Sequence, residues 1–370
     1  VWTLGAHHPD LFAGLLILAG RGDYYYWQKV KRDNLPAYKQ RLIDTEFAMS
    51  LLPNLRNIPI FCAHGENDSL VPVGEARHIV AAVRKVNPNV TYIEVPEADH
   101  WIFEEVFARQ ETRDWMKARR RQTPAEFTYT TYHPRYDRCY WISGMAVDRK
   151  TLPAQVTARR EGQLLDIDSH GVRSLVVEHE KMPREIRDLP ILKPADVEIV
   201  EAQRPRTPCG PVKEAFLSPF LFVCAGDPGD TNNVSQFHKR CLEWYRYAKT
   251  FPVVASEKSL TEKDLARYNL VLFGEPEQSE LVARAVGASP IRITAESYTI
   301  GGRPFPRQSN GLCFVCRSPW NPGKLVVVQC GIPWGEGLED NHRYDWLPDY
   351  IVYSADRDSD GSNHALGAGF

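Results

Sequence analysis

The chain has 370 residues, with 45 Lys+Arg against 47 Asp+Glu for a formal net charge of −2, and it is 43% apolar and 25% charged. This balance excludes a wholly disordered or low-complexity chain, and the near-neutral charge argues against a nucleic-acid binder, which usually carries a basic face. The longest apolar stretch, residues 11–19, falls short of the about 20 residues needed to cross a bilayer, and the length fits two or three domains.

In chain order, residues 15–19 form a continuous apolar run closed by Gly20, the pattern of a strand buried on both faces. Residues 34–50 are helix-like. A second buried strand is expected at 58–63 and an amphipathic helix at 75–86, with Ile79, Val80, Val83 and Val86 on one face. A third strand is expected at 90–95 and a closing helix at 103–120. This alternation implies a parallel sheet with helices on its faces. The basic run Lys117, Arg119, Arg120 and Arg121 ends that helix, where cations complement the helix dipole. After Pro124 the helical period is lost. Short strands are expected at 126–131, 140–147, 155–160, 164–167 and 172–178, which reads as a small antiparallel β domain. Residues 204–208 (Arg-Pro-Arg-Thr-Pro) read as a linker. From about 211 the βα pattern returns. Strands are expected at 220–224, 253–255 and 270–273, and helices near 234–248 and 278–286. Thr261 and Asp264 have capping-box spacing, and an Asn321-Pro322-Gly323 turn precedes a strand at 324–328. The expected architecture is α/β, with domains at 1–122, 123–203 and 204–370.

Eight cysteines are present. Cys313 and Cys316 have CxxC spacing, but they fall in an expected strand, where residues three apart face opposite ways. Buried structural thiols are expected there rather than zinc or redox chemistry. Residues 226–230 (Gly-Asp-Pro-Gly-Asp) lie between a strand and a helix, but G-x-G-x-x-G is missing and two Asp would repel phosphate, so a tight turn is expected. Asp356, Asp358 and Asp360 have D-x-D-x-D-G spacing without the Glu of a calcium loop at the twelfth position, so a solvated loop is expected. No cofactor and no metal are expected.

The strongest signal is a pair of loops. His64-Gly65-Glu66-Asn67-Asp68-Ser69-Leu70-Val71-Pro72 follows the second strand, and Glu94-Val95-Pro96-Glu97-Ala98-Asp99-His100-Trp101 follows the third. Open α/β sheets bind their ligands at the carboxyl ends of such strands. Asp68 and His100, 32 residues apart, are the candidate catalytic residues. A His can shuttle the proton of a hydroxyl nucleophile, and a carboxylate fixes its tautomer and stabilises the imidazolium. Read alone, Asp68 is equally a turn or helix-start residue, and His100 a loop histidine. His64-Gly65 is expected to form the turn, Asp99 ranks below Asp68, and Tyr24-Tyr25-Tyr26-Trp27 either lines a cleft or packs.

The H-G-x-x-D-x-x-V-P segment followed by Ala98-Asp99-His100 resembles the end of an α/β-hydrolase catalytic domain of the prolyl oligopeptidase-like peptidases and related esterases. The opening residues 1–14 resemble the family's helix just after the nucleophile elbow, and motifs near 210–216, 269–274 and 347–352 resemble a C-terminal extension of its large bacterial members. The resemblance implies the C-terminal part of an α/β-hydrolase parallel sheet, with a Ser-Asp-His triad cleaving a peptide or ester substrate. The departure is large. No G-x-S-x-G occurs, and neither Ser50 nor Ser69 has the flanking glycines of an elbow. The chain, which opens at Val1 in mid-pattern, is therefore expected to be a fragment that is inactive alone, with its serine a few residues upstream. The alternative is a non-catalytic, hydrolase-derived binding or scaffold protein. A third and weaker one is nucleotide binding by residues 211–300. No signal peptide is visible, and the compartment, export included, and the oligomeric state stay open.

Overall fold

Apolar runs that have no polar face must be covered on both sides, and the first two runs of this chain have apolar cores on both of their faces. The structure, a computed structural model, describes residues 1–202, 208–226, 231–336, 338 and 342–370. It divides into two compact units, residues 1–205 and 206–370.

The first unit opens with helix α1 (Trp2–His7), strand β1 (Leu15–Leu18), helix α2 (Tyr24–Trp27) and helix α3 (Ala37–Glu46). Strand β2 (Ile60–Gly65), helix α4 (Val73–Val83) and strand β3 (Val90–Val95) follow. The three strands form a parallel sheet in the order β1-β2-β3, with Leu15 opposite Ile60 and Ile60 opposite Val90. All six residues of β2 are buried, four of them the apolar run Ile60–Ala63 and the last two His64 and Gly65. Ile79, Val80 and Val83 of α4 pack with Leu15, Ile17, Ile60 and Cys62 on one face of the sheet. Phe61, Ala63 and Val95 pack with Ile102 and Val106 on the other. This is the helix-covered parallel sheet of an α/β-hydrolase-like fold.

Two expected helices are interrupted. The segment over 34–50 becomes α3 followed by a 3-10 stretch, Ala48–Leu55, that contains Pro53. The closing helix becomes α5 (Phe103–Ala108) and α6 (Gln110–Ala118), split at Arg109, whose backbone is extended at φ −67°, ψ 130°. The split is stabilised locally, because the Arg113 guanidinium donates to the carbonyls of Phe107 and Ala108 that the broken helix leaves open.

The β-rich part of this unit contains β4 (Phe127–Thr131), β5 (Ile142–Ser143), β6 (Ala154–Glu161), β7 (Leu164–His170) and β8 (Ser174–Val177). A short helix, α7 (Arg184–Arg187), then β9 (Ile191–Leu192) and β10 (Glu198–Ile199) complete it. The strands form two sheets, β4-β6-β7-β9 and β10-β8-β5. Pairing is antiparallel at β4/β6, β6/β7 and β5/β8, with β9 and β10 added in parallel. The strand expected over 140–147 shortens to β5, because Tyr140 and Gly144 on either side have positive φ (54° and 57°). This part has its own core around Tyr129, Trp141, Val156 and Ile167. It is tied to the parallel sheet by buried Asn54, whose Nδ2 donates to the carbonyls of Ala6 and Thr130 and whose Oδ1 accepts from Thr130 N at 2.7 Å. Tyr129 Oη also donates to the His7 carbonyl.

The second unit contains β11 (Phe220–Cys224), α8 (Thr231–Ala248), β12 (Val254–Ser256), α9 (Glu262–Arg267), β13 (Asn269–Phe273) and α10 (Glu280–Gly287). Strands β14 (Ile291–Ile293), β15 (Ser297–Ile300) and β16 (Arg303–Pro306) form an antiparallel sheet. Strands β17 (Gly311–Arg317), β18 (Leu325–Gly331), β19 (Tyr350–Arg357) and β20 (Asn363–Gly369) complete the main sheet, in the order β12-β11-β13-β18-β17-β19-β20. The βα-derived half is parallel, and β17, β19 and β20 pair antiparallel. The capping box of Thr261 and Asp264 forms at the start of α9. Residues 204–207 of the linker expected at 204–208, and residues 227–230 of the turn expected at 226–230, lie outside the described residues.

Candidate active site

The carboxyl ends of β2 and β3 are laced together before any side chain is considered. Glu66 N donates to Val95 O at 3.0 Å and Asn67 N to Ala98 O at 2.8 Å. Gly65 is required here by close approach. A Cβ on it would lie 1.9 Å from the carbonyl of Asp99 and 2.6 Å from that of Ala98. The turn that carries His100 therefore rests directly on the end of β2. Ile102 and Val106, both buried, anchor the chain just beyond it.

Asp68 divides its two oxygens between two tasks. Oδ1 accepts from the amides of Leu70 and Val71, at 2.9 and 2.8 Å, which closes the turn into α4. Oδ2 accepts from His100 Nδ1 at 2.8 Å. Burial works against the Asp68 anion, but the Val71 amide, the His100 ring and the Leu70 amide outweigh it and hold the carboxyl below its usual range. His100 is partly exposed, and the rings of Trp101 and Phe103 stand nearly perpendicular to it at 5.4 and 6.3 Å. With Nδ1 committed to the carboxylate, Nε2 is the nitrogen left for proton transfer.

The neighbouring candidates separate cleanly. His64 is wholly buried at the end of β2. Its Nε2 donates to Val71 O at 2.7 Å and lies 3.2 Å from Asp68 Oδ2, so it braces the turn. Asp99 accepts from Trp101 N and stays with its own turn. Ser50 donates to Asp44. Tyr24 packs edge-on to Tyr25, Trp27 and Phe47, while Tyr26 is exposed and stacks on His78 at 4.2 Å.

A second Asp–His pair at this edge of the sheet was not singled out from the sequence. Asp23, in the loop after β1, caps α2 with Oδ1 and meets His78 Nε2 through Oδ2 at 2.9 Å. Glu75, one turn earlier on α4, is buried, and its Oε2 has no hydrogen-bond partner. Burial and the Asp23 charge push its carboxyl up. Arg21 lies 3.4 Å over the Trp27 ring. The strand-end rule that flags Asp68 applies equally to Asp23. This pair engages the imidazole through Nε2, however, and so lacks the arrangement seen at His100.

Elsewhere, Cys313 and Cys316 are both pushed up to about 12 by burial. Asp358 and Asp360 hold the β19–β20 turn through His364 and Ser362. Among the described residues no group of three or more His, Cys, Asp or Glu could hold a metal ion, and no helix is long and apolar enough to cross a membrane.

Residues 1–118, about a third of the chain, match the prolyl oligopeptidase family. The family that the loops at 64–72 and 94–101 resemble is thus the family matched. A thermostable esterase of known crystal structure is similar at 22% identity, over 32% of this chain and 27% of its own, with a TM-score of 0.24. The chain therefore spans about a quarter of that esterase. No curated protein matches the chain.

Proposed function

We propose that residues 1–118 are the closing part of a serine hydrolase catalytic domain of the prolyl oligopeptidase class. In this reading His100 is the general base and acid, and Asp68 is its orienting carboxylate. They act with a serine outside these 370 residues on a peptide or ester substrate. The observation that carries the reading is the Asp68–His100 hydrogen bond of 2.8 Å made through Nδ1. It leaves Nε2 to take the serine proton as Oγ attacks the carbonyl, and to return it to the departing amine or alcohol. Asp68, held ionised, stabilises the imidazolium between those two transfers.

The test begins with the coding sequence upstream of Val1, where a G-x-S-x-G elbow is expected within about ten residues. A fluorophosphonate should label that serine in the longer protein, and His100→Ala should abolish the labelling. An Ala or Gly at the serine position would sink the reading. The 370 residues alone are expected to be inactive.

A second reading is a hydrolase-derived binding or scaffold protein. It draws on the extent of the chain beyond residue 118, where the family match ends. A longer protein that carries the elbow serine yet reacts with no serine-directed probe would favour it.

A further inference from the structure

At the opposite ends of the same strands, a cavity of about 210 Å³ opens between the parallel sheet and the β-rich part of the first unit. Its walls include Pro9 and Phe12 from the segment before β1, Asn57 from the segment before β2, Arg119 and Arg120 from the end of α6, and Tyr140 from the approach to β5. From these groups we infer that the cavity binds a small oxyanion, the carboxylate or phosphate group of a compact molecule.

Arg119 is set in place before any ligand arrives. Its Nε donates to the Trp115 carbonyl at 3.1 Å, and its guanidinium lies 5.0 Å over the Trp115 ring. Gly14 allows this close fit, since a Cβ there would lie 2.9 Å from the Trp115 ring and 3.2 Å from Arg119 Cδ. Arg120 donates through Nη1 to the carbonyls of Lys117 and Arg119, both at 2.8 Å. Neither guanidinium pairs with a carboxylate among the described residues, so both retain N–H groups and full charge for an anion. The bonds to the Trp115 and Lys117 carbonyls, in the last turn of α6, are the helix-dipole complement that the sequence reading assigns to this basic run, and they use only part of each guanidinium.

The remaining wall supplies a neutral donor. Tyr140 is 8% exposed, and its O–H donates to no acceptor among the described residues. A buried, unsatisfied hydroxyl costs about 1–3 kcal/mol, which an acceptor in the cavity would recover. Burial raises the phenol, so it stays a donor at neutral pH, and the Asn57 amide acts on the same oxygen. Tyr140 is held at φ 54°, a left-handed backbone that a bulky residue rarely adopts. Asp10, whose charge acts on the Tyr140 phenol, is itself met by His8, Arg138 and Lys181, and its carboxyl is raised by burial. Two guanidiniums and a phenol around so small a volume suit a phosphate or a short carboxylate rather than a drug-sized molecule, while the Asn57 amide is spent on the Glu126 carbonyl and the phenol oxygen. An occupant would also bridge α6 to the β-rich part, fastening the two halves of the unit.

The test is titration of the 370-residue chain with inorganic phosphate and, separately, with benzoate, at ionic strength held constant with chloride. The readouts are melting temperature and calorimetric heat. A saturable rise with one of the two anions is expected, and which one produces it distinguishes phosphate from carboxylate recognition. Arg119→Gln should weaken binding about tenfold or more, the scale of one charge-assisted hydrogen bond. Tyr140→Phe, which removes only the hydroxyl and keeps the packing, should weaken it several-fold. Responses no larger than those to chloride, or responses unchanged in both variants, would overturn the inference. The outcome is independent of the hydrolase reading, because the catalytic pair lies at the other ends of the strands.

Discussion

His100 Nδ1 lies 2.8 Å from Asp68 Oδ2, across the tips of two neighbouring parallel strands. The pair is built by the sheet. Residues that are distant in sequence meet because β2 and β3 are adjacent and in register, and because the carboxylate's other oxygen is already spent on its own turn. Replacing Asp68 by Asn keeps the shape but removes the anion that fixes the tautomer. If the proposed serine hydrolase reading holds, Asp68→Asn in the serine-bearing enzyme is expected to lower kcat/KM by roughly 10³–10⁴-fold. Steady-state hydrolysis of an activated ester would measure this, and a loss below tenfold would contradict the assigned role.

The same substitution has a pH signature in stability. The Asp68 carboxyl is held below its usual range in the folded chain. Its stabilising contribution is therefore fully present above the unfolded-state value of about 3.9 and is lost as pH falls through the folded value. Urea unfolding of the native chain and Asp68→Asn should differ at pH 7, by about 1–3 kcal/mol for a buried hydrogen-bonded carboxylate, and should converge in acid. A difference that stays constant down to pH 2 would remove Asp68 as its cause.

Glu75 predicts the opposite slope. Its carboxyl is raised, first by burial and then by Asp23, so the folded chain favours the protonated form. Stability is then lost as pH rises from the ordinary carboxylate value through the raised one. Glu75→Gln, which keeps the volume and removes the charge, should raise the melting temperature at pH 8 and leave it nearly unchanged at pH 3. A lower melting temperature at pH 8 would mean that the anion is held by a partner.

Two glycines make a matched comparison. Gly65→Ala places a Cβ 1.9 Å from a backbone oxygen, which cannot swing aside as a side-chain tip could. It should destabilise the chain by about 1–3 kcal/mol and shift the His100 ring resonances, since the turn that carries His100 must move. Gly287→Ala, at the end of α10 with nothing within 4 Å, should stabilise by about 0.4–1 kcal/mol through the unfolded chain. Denaturant melts of both variants, with an NMR spectrum of the first, would check the pair.

Particular residues show what could be read from the sequence. That Asp68 and His100 come together was legible because each follows a strand-like run, 58–63 or 90–95, in a βαβ alternation that makes the two strands neighbours. Asp23 and Glu75 were not, because their partners, His78 and the loop after β1, are set by how α4 lies on the sheet. The break at Arg109 was hidden for a similar reason. Its neighbours are all adequate helix formers, and the carbonyls it exposes are rescued by Arg113, a residue that helix propensity does not single out. Residues 123–203 read as a separate domain because their hydrophobic period changes, and period says nothing about what their edge strand packs against.

Asn54 tests that last relation. It is buried, and its amide makes three hydrogen bonds to main-chain groups, one at Ala6 and two at Thr130 of β4. Asn54→Ala strands those groups without water, at about 1–3 kcal/mol each before relaxation. We propose that residues 123–203 are a domain in their own right, fastened to the parallel sheet at this point. The core around Trp141 and Ile167 then survives the substitution while the attachment weakens. Limited proteolysis of Asn54→Ala should therefore cut near residues 119–125 faster than in the native chain, and should release a fragment that keeps its Trp141 near-ultraviolet signal. Uniform degradation of both parts at one rate would instead make residues 1–205 a single cooperative body with Asn54 inside its core.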